Sequence, residues 1–223
     1  MVEPEVNDGP IHLLLDEPFP EVPPRSPARV STEEIEVGPH LVRVSDVVLW
    51  QGALPEPDSM RGAAGMVAEV SGEAAVGSLL PKGAADEARG LLERDDLDGA
   101  ARVLAGRGPG MTPSGDDVLG GMLFAIRVVR GPAEEPRLAE VADGVATNTI
   151  ARAFLRWAAR GQALAPVHDL VQAAVRGDHE AARAAARALA AVGESSGADF
   201  ALGLGWGIVS AGRRKRWWGR APT

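Results

Sequence analysis

The sequence GRGPGMTPSGDDVLGG spans residues 106–121 and is the most constrained stretch of the chain. Its first three glycines stand at alternate positions, where they permit backbone conformations closed to other residues and bring the backbone close to a partner. Thr112 or Ser114 can cap a following helix, and Pro113 suits the first helical position. The stretch therefore predicts a glycine-rich turn that leads into a helix over residues 114–129.

This turn is not one of the common phosphate-binding loops. A P-loop needs Lys followed by Ser or Thr after its last glycine, and the Rossmann pattern needs a different glycine spacing. The remaining interpretation is a helix N-terminus, whose free N–H groups and positive dipole end favour an anion. Asp116 and Asp117 already put negative charge in that first turn. They are either ordinary N-terminal stabilisers or side chains of a site that needs negative charge, and both interpretations stay open.

A second stretch is similar to the first. Residues 196–203, SGADFALG, repeat the Ser-Gly-x-Asp pattern of residues 114–121, SGDDVLGG, at a distance of 82 residues. Two helices that begin in this way could aim their N-termini at one cavity and clamp a small ligand. The alternating glycines at 203, 205 and 207 would alone suggest a strand, but the match favours a helix. Glycines in helices indicate tight packing or a nearby ligand, since each costs roughly 1 kcal/mol.

These two segments supply the candidate site residues. The candidate catalytic residues are Asp117, Ser114 and Asp199. The candidate ligand-binding residues are Gly108, Gly110, Thr112, Gly115, Asp116, Ser196 and Gly197. Thr112 and the loop N–H groups would hold an anionic group, and one of the carboxylates would be the general base, because no histidine-based triad is evident. No metal site is predicted, since the four histidines (His12, His40, His168 and His179) lack the spacing of metal ligands.

The N-terminal third is predicted to be a small sheet. Short runs rich in Val, Ile and Leu occur at 11–15, 28–31, 41–44 and 46–50, and each is typical of a strand. The segment 16–27 holds five prolines, which favour an extended loop. The region 1–80 is therefore expected to be β-rich and mostly antiparallel.

The rest of the chain is predicted to be helical. Beyond about residue 81 the composition shifts to Ala, Leu, Arg and Glu at helical spacing. Helices are predicted over 84–92, 97–104, 114–129, 136–160, 166–176, 178–192 and 197–210. Gly144 and the run 147–149 predict a break in the longest of them. The fold class is thus α+β, with a helical domain over 81–212 that carries the glycine-rich site and a basic tail at 213–223.

Composition excludes several classes of protein. With no cysteine, the chain can hold no disulfide, thiolate zinc site, iron–sulfur cluster or cysteine nucleophile. A net charge of −8 argues against nucleic acid, and the basic cluster at 213–220 is expected to be a dispensable, solvated tail. The acidic N-terminus is unlike a signal sequence, and no apolar run reaches the roughly 20 residues of a membrane span. We therefore expect a cytoplasmic protein.

Three segments of the chain resemble the landmarks of a known protein family. Residues 106–123, GRGPGMTPSGDDVLGGML, resemble the signature of an uncharacterised bacterial family that includes the AllH-type subunit of oxamate carbamoyltransferase. Residues 192–208, VGESSGADFALGLGWGI, resemble the family's second landmark, and residues 147–149 with the FLRWAARG that follows resemble the segment between them. The similarity runs from about residue 91 to 210. From the intermediate segment, Thr149 joins the candidate ligand-binding residues.

The resemblance implies carbamoyl transfer, in which oxalurate and phosphate exchange with oxamate and carbamoyl phosphate, alongside other subunits. We expect an enzyme or enzyme subunit of the transferase class that acts on a small carboxylate or carbamoyl compound. The alternative is a non-catalytic scaffold or small-anion-binding subunit of a multi-subunit complex. The expected partners are a small anionic substrate and other enzyme subunits, and the sequence indicates no particular cofactor.

Overall fold

The structure, a computed structural model, describes residues 21–44 and 52–213. Its strands are β1 (Ala28–Val30), β2 (Glu34–Val37) and β3 (His40–Arg43), which form an antiparallel sheet in the order β1-β2-β3. The strands predicted at 28–31 and 41–44 are confirmed. The runs at 11–15 and 46–50 lie outside the described residues.

Strand β2 is missing from the sequence prediction. Its two glutamates, Glu34 and Glu36, are residues that strands disfavour. In the sheet, Glu36 is opposite Arg29 and Glu34 is opposite Arg43, with a side-chain N–O distance of 3.9 Å in each pair. Opposite charges on neighbouring strands offset the low strand propensity, and such pairing is invisible until the register is known.

The helices follow the sheet and make the fold α+β, as predicted. They are α1 (Pro57–Ala74), α2 (Lys82–Glu93), α3 (Leu97–Leu104), α4 (Ser114–Arg130), α5 (Glu135–Gly144), α6 (Thr149–Ala159), α7 (Ala165–Val175), α8 (His179–Ala190) and α9 (Ser196–Gly212). Short 3-10 turns cover Ala75–Gly77 and Pro132–Glu134. Helix α1 packs on α9, α6 packs on α4, α2 pairs with α3, and α7 pairs with α8.

Helix α1 lies in a region where the sequence analysis expected strands alone. Its three glycines, at 62, 65 and 72, lower the helix propensity and hid the pattern. The signal was nevertheless present, because Met60, Ala63, Val67 and Val70 follow helical spacing and are all buried. Among the described residues, the sheet is therefore limited to 28–43.

Two other expectations for the helical part are confirmed. The helix predicted over 136–160 is broken, and α5 and α6 are separated by residues 145–148. Asn148 caps α6 by accepting hydrogen bonds from the N–H groups of Ile150 and Ala151, so a polar residue in the predicted break begins the next helix. The glycine-rich run that ends the described chain is the helix α9 and not a strand.

Helices α4 and α9 form the centre of the helical part of the described chain and run in the same direction, with their N-termini at the same end. Gly121 of α4 lies against the backbone of Phe200 and Leu204, and Gly203 of α9 lies against the backbone of Val118. A methyl group at either glycine would collide with those backbone atoms, so the helix axes approach this closely because both residues are glycine. Tight packing therefore explains this pair of glycines.

The sequence repeat belongs to a larger structural repeat of three helices. Helices α2, α3 and α4 recur as α7, α8 and α9. The second helices begin at Leu97 and His179 and the third at Ser114 and Ser196, so that each pair is 82 residues apart. The third helices are both 17 residues long. The matching Ser-Gly-x-Asp stretches therefore occupy equivalent places in two copies of one unit.

Local details between the helices repeat as well. Asp96 and Asp178 cap α3 and α8, and each accepts a hydrogen bond from an N–H group of the first turn. The residue before each cap, Asp95 or Gly177, has a positive φ of 64° or 74°. Because these residues are also 82 apart, the two units share their turn geometry.

Two remaining sequence predictions concern membranes and the C-terminus. In the part of the chain that the structure describes, no helix combines the length and apolar character that crossing a membrane requires. The predicted basic tail at 213–223 lies outside the described residues except for Arg213.

Candidate functional site

The N-termini of α4 and α9 lie side by side, and this is where most of the predicted site residues gather. The Thr112 and Ser196 hydroxyl oxygens are 3.0 Å apart, which joins the loop before α4 to the first residue of α9. Both positive dipole ends therefore face the same region, and acidic side chains in each first turn offset them.

The loop before α4 has the conformation that its glycines predict. Gly106, Gly108 and Gly110 all have positive φ, at 68°, 111° and 93°. The expected capping is wrong: the helix begins at Ser114 with Pro113 as the N-cap residue, so neither hydroxyl residue caps it. Thr112 instead directs its hydroxyl across to α9.

Asp116 holds the glycine-rich loop in place. Its Oδ1 accepts a hydrogen bond from the Gly106 N–H at 3.0 Å, and its Oδ2 accepts one from the Thr147 hydroxyl at 2.5 Å. The side chain is almost fully buried, and both of its oxygens are used inside the protein. Asp116 therefore connects the loop, α4 and the segment before α6.

Asp199 is completely buried, and only one of its two carboxyl oxygens accepts hydrogen bonds from the described residues. Its Oδ1 accepts hydrogen bonds from the Ser78 hydroxyl at 2.5 Å and from the Leu79 N–H at 3.1 Å. Its Oδ2 is buried without a hydrogen-bond partner among the described residues. A buried carboxylate oxygen without a donor is unfavourable, so this atom marks a place where a donor is missing.

Asp117 occupies the equivalent position in α4 and is partly exposed. Burial raises the pKa of its carboxyl to about 8; hydrogen bonds from Ser196 and Thr112 act against this shift, and the nearby charges of Asp199 and Asp116 add to it. Its Oδ2, like that of Asp199, is buried and finds no hydrogen-bond partner within the described ranges. We call Asp117 Oδ2 and Asp199 Oδ2 the two open oxygens.

The N–H groups at the start of α4 are largely used within the protein. Gly115 N donates to Arg107 O at 2.8 Å, while Asp116 N and Asp117 N both donate to Pro113 O, at 2.8 and 3.1 Å. A helix N-terminus binds an anion through N–H groups that lack such partners. This N-terminus therefore offers fewer free donors than the sequence suggested.

The start of α9 follows the same plan. Gly197 N donates to Val192 O at 3.0 Å, and Asp199 N donates to Ser195 O at 2.8 Å. A methyl group on Gly197 would collide with the carbonyl of Leu189, as one on Gly115 would with the carbonyl of Leu104. The glycine after each serine thus lets its helix start directly against the end of the preceding helix.

The other predicted residues lie less centrally. Ser114 is buried beside Gly108, and a methyl group on Gly108 would come within 2.8 Å of the Ser114 nitrogen. Gly110 is exposed, and Thr149 is exposed at the start of α6.

Two residues that bond the site aspartates were not predicted from the sequence: Thr147, which donates a hydrogen bond to Asp116, and Ser78, which donates one to Asp199. Thr147 could have been predicted, because it lies in the same hydroxyl-rich run, 147–149, as the predicted residue Thr149.

Among the described residues, the carboxyl groups that gather here do not form a metal site. Within residues 21–44 and 52–213, no group of three or more His, Asp or Glu side chains is arranged to hold a metal ion. His168, near the start of α7, is buried, and its ring meets Phe124 edge-on with centroids 5.4 Å apart. Its ring nitrogens contact Ala53 O and Ala163 N, which gives it a structural position.

Four exposed apolar side chains belong to segments that adjoin these residues in the sequence. Val76 and Leu79 flank Ser78 and are exposed. Met111 and Ile150 are exposed as well, and the Met111 carbonyl accepts a hydrogen bond from Asn148. We call Val76, Leu79, Met111 and Ile150 the apolar rim.

Comparison with protein families gives a match that includes the candidate site. Residues 104–208 match the family model described as oxamate carbamoyltransferase subunit AllH. The match begins at the last residue of α3, includes both Ser-Gly-x-Asp stretches and ends within α9. No curated protein and no solved structure matches the chain.

Proposed function

Since residues 104–208 belong to the AllH family, we propose that the chain is an enzyme or enzyme subunit that acts on a small carboxylate or carbamoyl compound. The family's name refers to a subunit of oxamate carbamoyltransferase, so other subunits are plausible partners. The site proposed for the compound is the region between the N-termini of α4 and α9.

The observation that carries this proposal is the pair of open oxygens. Asp117 and Asp199 have equivalent positions in the two repeat units, and each keeps one buried carboxyl oxygen without a donor among the described residues. A fold stabilised only by its own contacts gains by satisfying such atoms, so their persistence favours a ligand that supplies donors.

The neighbouring groups suit a small polar ligand. Thr112 and Ser196 carry hydroxyls, which can donate or accept, and both residues are partly exposed. Asp117 is also partly exposed, whereas Asp199 lies deeper. A compound that enters past the two hydroxyls would thus meet Asp117 before Asp199. The carboxyl of Asp117 is the group best suited to take or give a proton.

Calorimetric titration of the purified chain tests the proposal. We expect wild type to bind at least one of oxamate, carbamoyl phosphate and phosphate, and Asp199→Asn to bind it at least about tenfold more weakly, which is about 1.4 kcal/mol. Asp98→Asn is the matched control, because Asp98 is also an acid of a first helical turn but is exposed. Equal weakening in both variants, or no binding by wild type, would contradict the proposed site.

The apolar rim favours a second candidate function. Its four exposed side chains belong to the turn that bonds Asp199, the loop before α4 and the start of α6, and exposed apolar surface is typical of a protein-binding site. The chain would then be a scaffold subunit that leaves the chemistry to another chain. A wild-type chain that binds none of the three compounds would favour this alternative.

A further inference from the structure

We infer that residues 214–220 of this chain dock in a cavity between α2 and α9, with the pair Trp217 and Trp218 as their apolar anchor. The sequence alone suggested that this basic segment is a dispensable, solvated tail. The inference goes beyond the proposed function and does not rest on it, because the cavity lies along the C-terminal half of α9 and the candidate site lies at its N-terminus.

The cavity lies between the C-terminal halves of α2 and α9 and has a volume of about 270 Å³. Its apolar lining is Leu92 of α2 together with Trp206 and Val209 of α9. Leu92 is buried and Trp206 is partly buried, whereas Val209 is 44% exposed. The Ser210 hydroxyl donates a hydrogen bond to the Leu92 carbonyl oxygen at 3.2 Å, which joins the two helices at this point. The cavity is thus an apolar recess in a packed pair of helices.

The charges around the cavity favour a basic segment. Arg89 and Glu93 of the lining pair with each other at 3.4 Å, so their charges offset one another. The C-terminal ends of α2 and α9, which are the negative ends of their dipoles, lie here, and neither helix has a basic residue in its last turn. Five of the 23 basic residues lie at 213–220, so the rest of the chain is more acidic than the net charge of −8. Long-range attraction therefore acts between this segment and the rest of the protein.

Trp217 and Trp218 provide the groups that suit the recess. A tryptophan gains from burying its large ring, and its indole N–H bonds a polar group at the edge of an apolar site. The Ser210 hydroxyl, which donates its proton to Leu92, keeps lone pairs that accept such an N–H group. The ring of Trp206 also offers a face for the basic side chains on either side of the two tryptophans.

The segment is within reach because it begins at the edge of the cavity. Arg213 is the last described residue, follows α9 as its C-cap residue and itself lines the cavity. The furthest lining residue on α9, Gly205, is eight residues before Arg213, which is about 12 Å along a helix. The four residues from Arg213 to Trp217 span up to about 14 Å when extended. One turn of the chain after α9 therefore brings the tryptophans back over the cavity.

The same segment from a second copy of the chain has the same chemistry. Docking within one chain is favoured, because a short connection holds the segment near the cavity at an effective concentration in the millimolar range. Association of two chains has the additional cost of lost translational and rotational freedom. The occupant is therefore the segment of the same chain.

Disulfide trapping in the full chain tests this docking, and the lack of native cysteine makes the reaction specific to the introduced pair. We expect Arg89→Cys with Gly219→Cys to form a disulfide at least about fivefold faster than Lys82→Cys with Gly219→Cys, since a disulfide needs Cα atoms within about 7 Å. Lys82 is the matched control: it is an exposed cation on the same face of α2, two turns before Arg89, and is not part of the cavity lining.

Two further variants of the trapping pair test the anchor and the recess. Trp217→Ala together with Trp218→Ala should lower the rate to that of the Lys82 control, because the apolar anchor is lost. Val209→Arg should do the same, because it fills the recess and repels a basic segment. Val30→Arg is the control for this change, since Val30 is an exposed valine of β1, and it should leave the rate unchanged.

Three results would overturn the inference. Equal rates for the Arg89 and Lys82 pairs would show that the segment does not occupy the cavity. A fast rate that persists without the two tryptophans would contradict their role as anchor. Disulfides between chains, detected by mass and increasing with protein concentration, would assign the cavity to a second copy. Melting curves of the reduced variants identify any change in rate that comes from unfolding.

Discussion

The two three-helix units of this protein have the same plan and differ where the third helix begins. In the first unit an eight-residue α3 is followed by a long glycine-rich loop, 105–113. In the second unit α8 has twelve residues, and the short connection 191–195 leads into α9. The packed helices are thus conserved between the units, while the approach to the N-terminus differs. The longer loop supplies Thr112 and the backbone around Asp116.

Asp117 and Asp199, which occupy equivalent positions in the two units, also differ in their surroundings. Asp199 is fully buried and accepts two hydrogen bonds from residues 78 and 79, whereas Asp117 is partly exposed and interacts with hydroxyl groups. Asp116 has Ala198 as its counterpart, so the first turn of α4 carries one more carboxyl group than the first turn of α9. The two helical units therefore present two carboxyl groups that differ in burial and in hydrogen-bond partners.

The largest expected effect comes from breaking the contact between the units. Gly121→Ala and Gly203→Ala should each lower the free energy of unfolding by about 3 kcal/mol, because the added methyl group collides with backbone of the other central helix. Urea unfolding followed by circular dichroism measures this loss. The control is Gly62→Ala in α1, where a methyl group meets no described atom within 4 Å and should raise stability by up to about 1 kcal/mol. Similar effects at all three glycines would refute the packing argument.

A smaller effect is expected from Asp117 as pH changes. In the folded protein its pKa is raised from 3.8 to about 8, so the folded state holds a proton that the unfolded state has released between these values. The resulting stabilisation is complete below about pH 4 and is lost as pH rises to about 8. Allowing for partial exposure, we expect the stability of wild type relative to Asp117→Asn to fall by about 2 kcal/mol between pH 5 and pH 8.

This difference is measured by urea unfolding of both proteins at the two pH values. Taking the difference between wild type and variant removes the contribution of the other acids, which is common to both. A difference that stays constant, or that grows with pH, would show that Asp117 is ionised in the folded protein.

The smallest expected loss of stability comes from removing the hydroxyl groups that donate hydrogen bonds to Asp199 and Asp116. Ser78→Ala removes a hydroxyl donor from Asp199 and should lower the free energy of unfolding by about 1.5 kcal/mol. Thr147→Ala removes the corresponding donor from Asp116 and should have an effect of similar size. Thermal melts of the two variants measure this. If Ser78→Ala melts as wild type does, the burial of Asp199 depends on other contacts.

Much of the fold could be predicted from local sequence. Helices from residue 82 onward have clear apolar spacing, and the break before α6 is marked by the polar run that contains its cap. Helix α1 was missed because its glycines lower the helix propensity, although packing stabilises the helix. Strand β2 was missed because its glutamates lower the strand propensity, although cross-strand pairing stabilises the strand. Both failures concern elements whose stability comes from distant parts of the chain.

The sequence by itself determined the two Ser-Gly-x-Asp helix starts, because glycine turns, proline and acidic first-turn residues act within a few positions of one another. It could not determine what each aspartate contacts. Ser78 reaches Asp199 across 121 residues, and Thr112 reaches Ser196 across 84. The packing of α1 and its following 3-10 turn against α9 brings the first pair together, and the packing of α4 against α9 brings the second pair together. The burial of one carboxyl and the raised pKa of the other depend on that packing, since both are set by distant neighbours and by the exclusion of water.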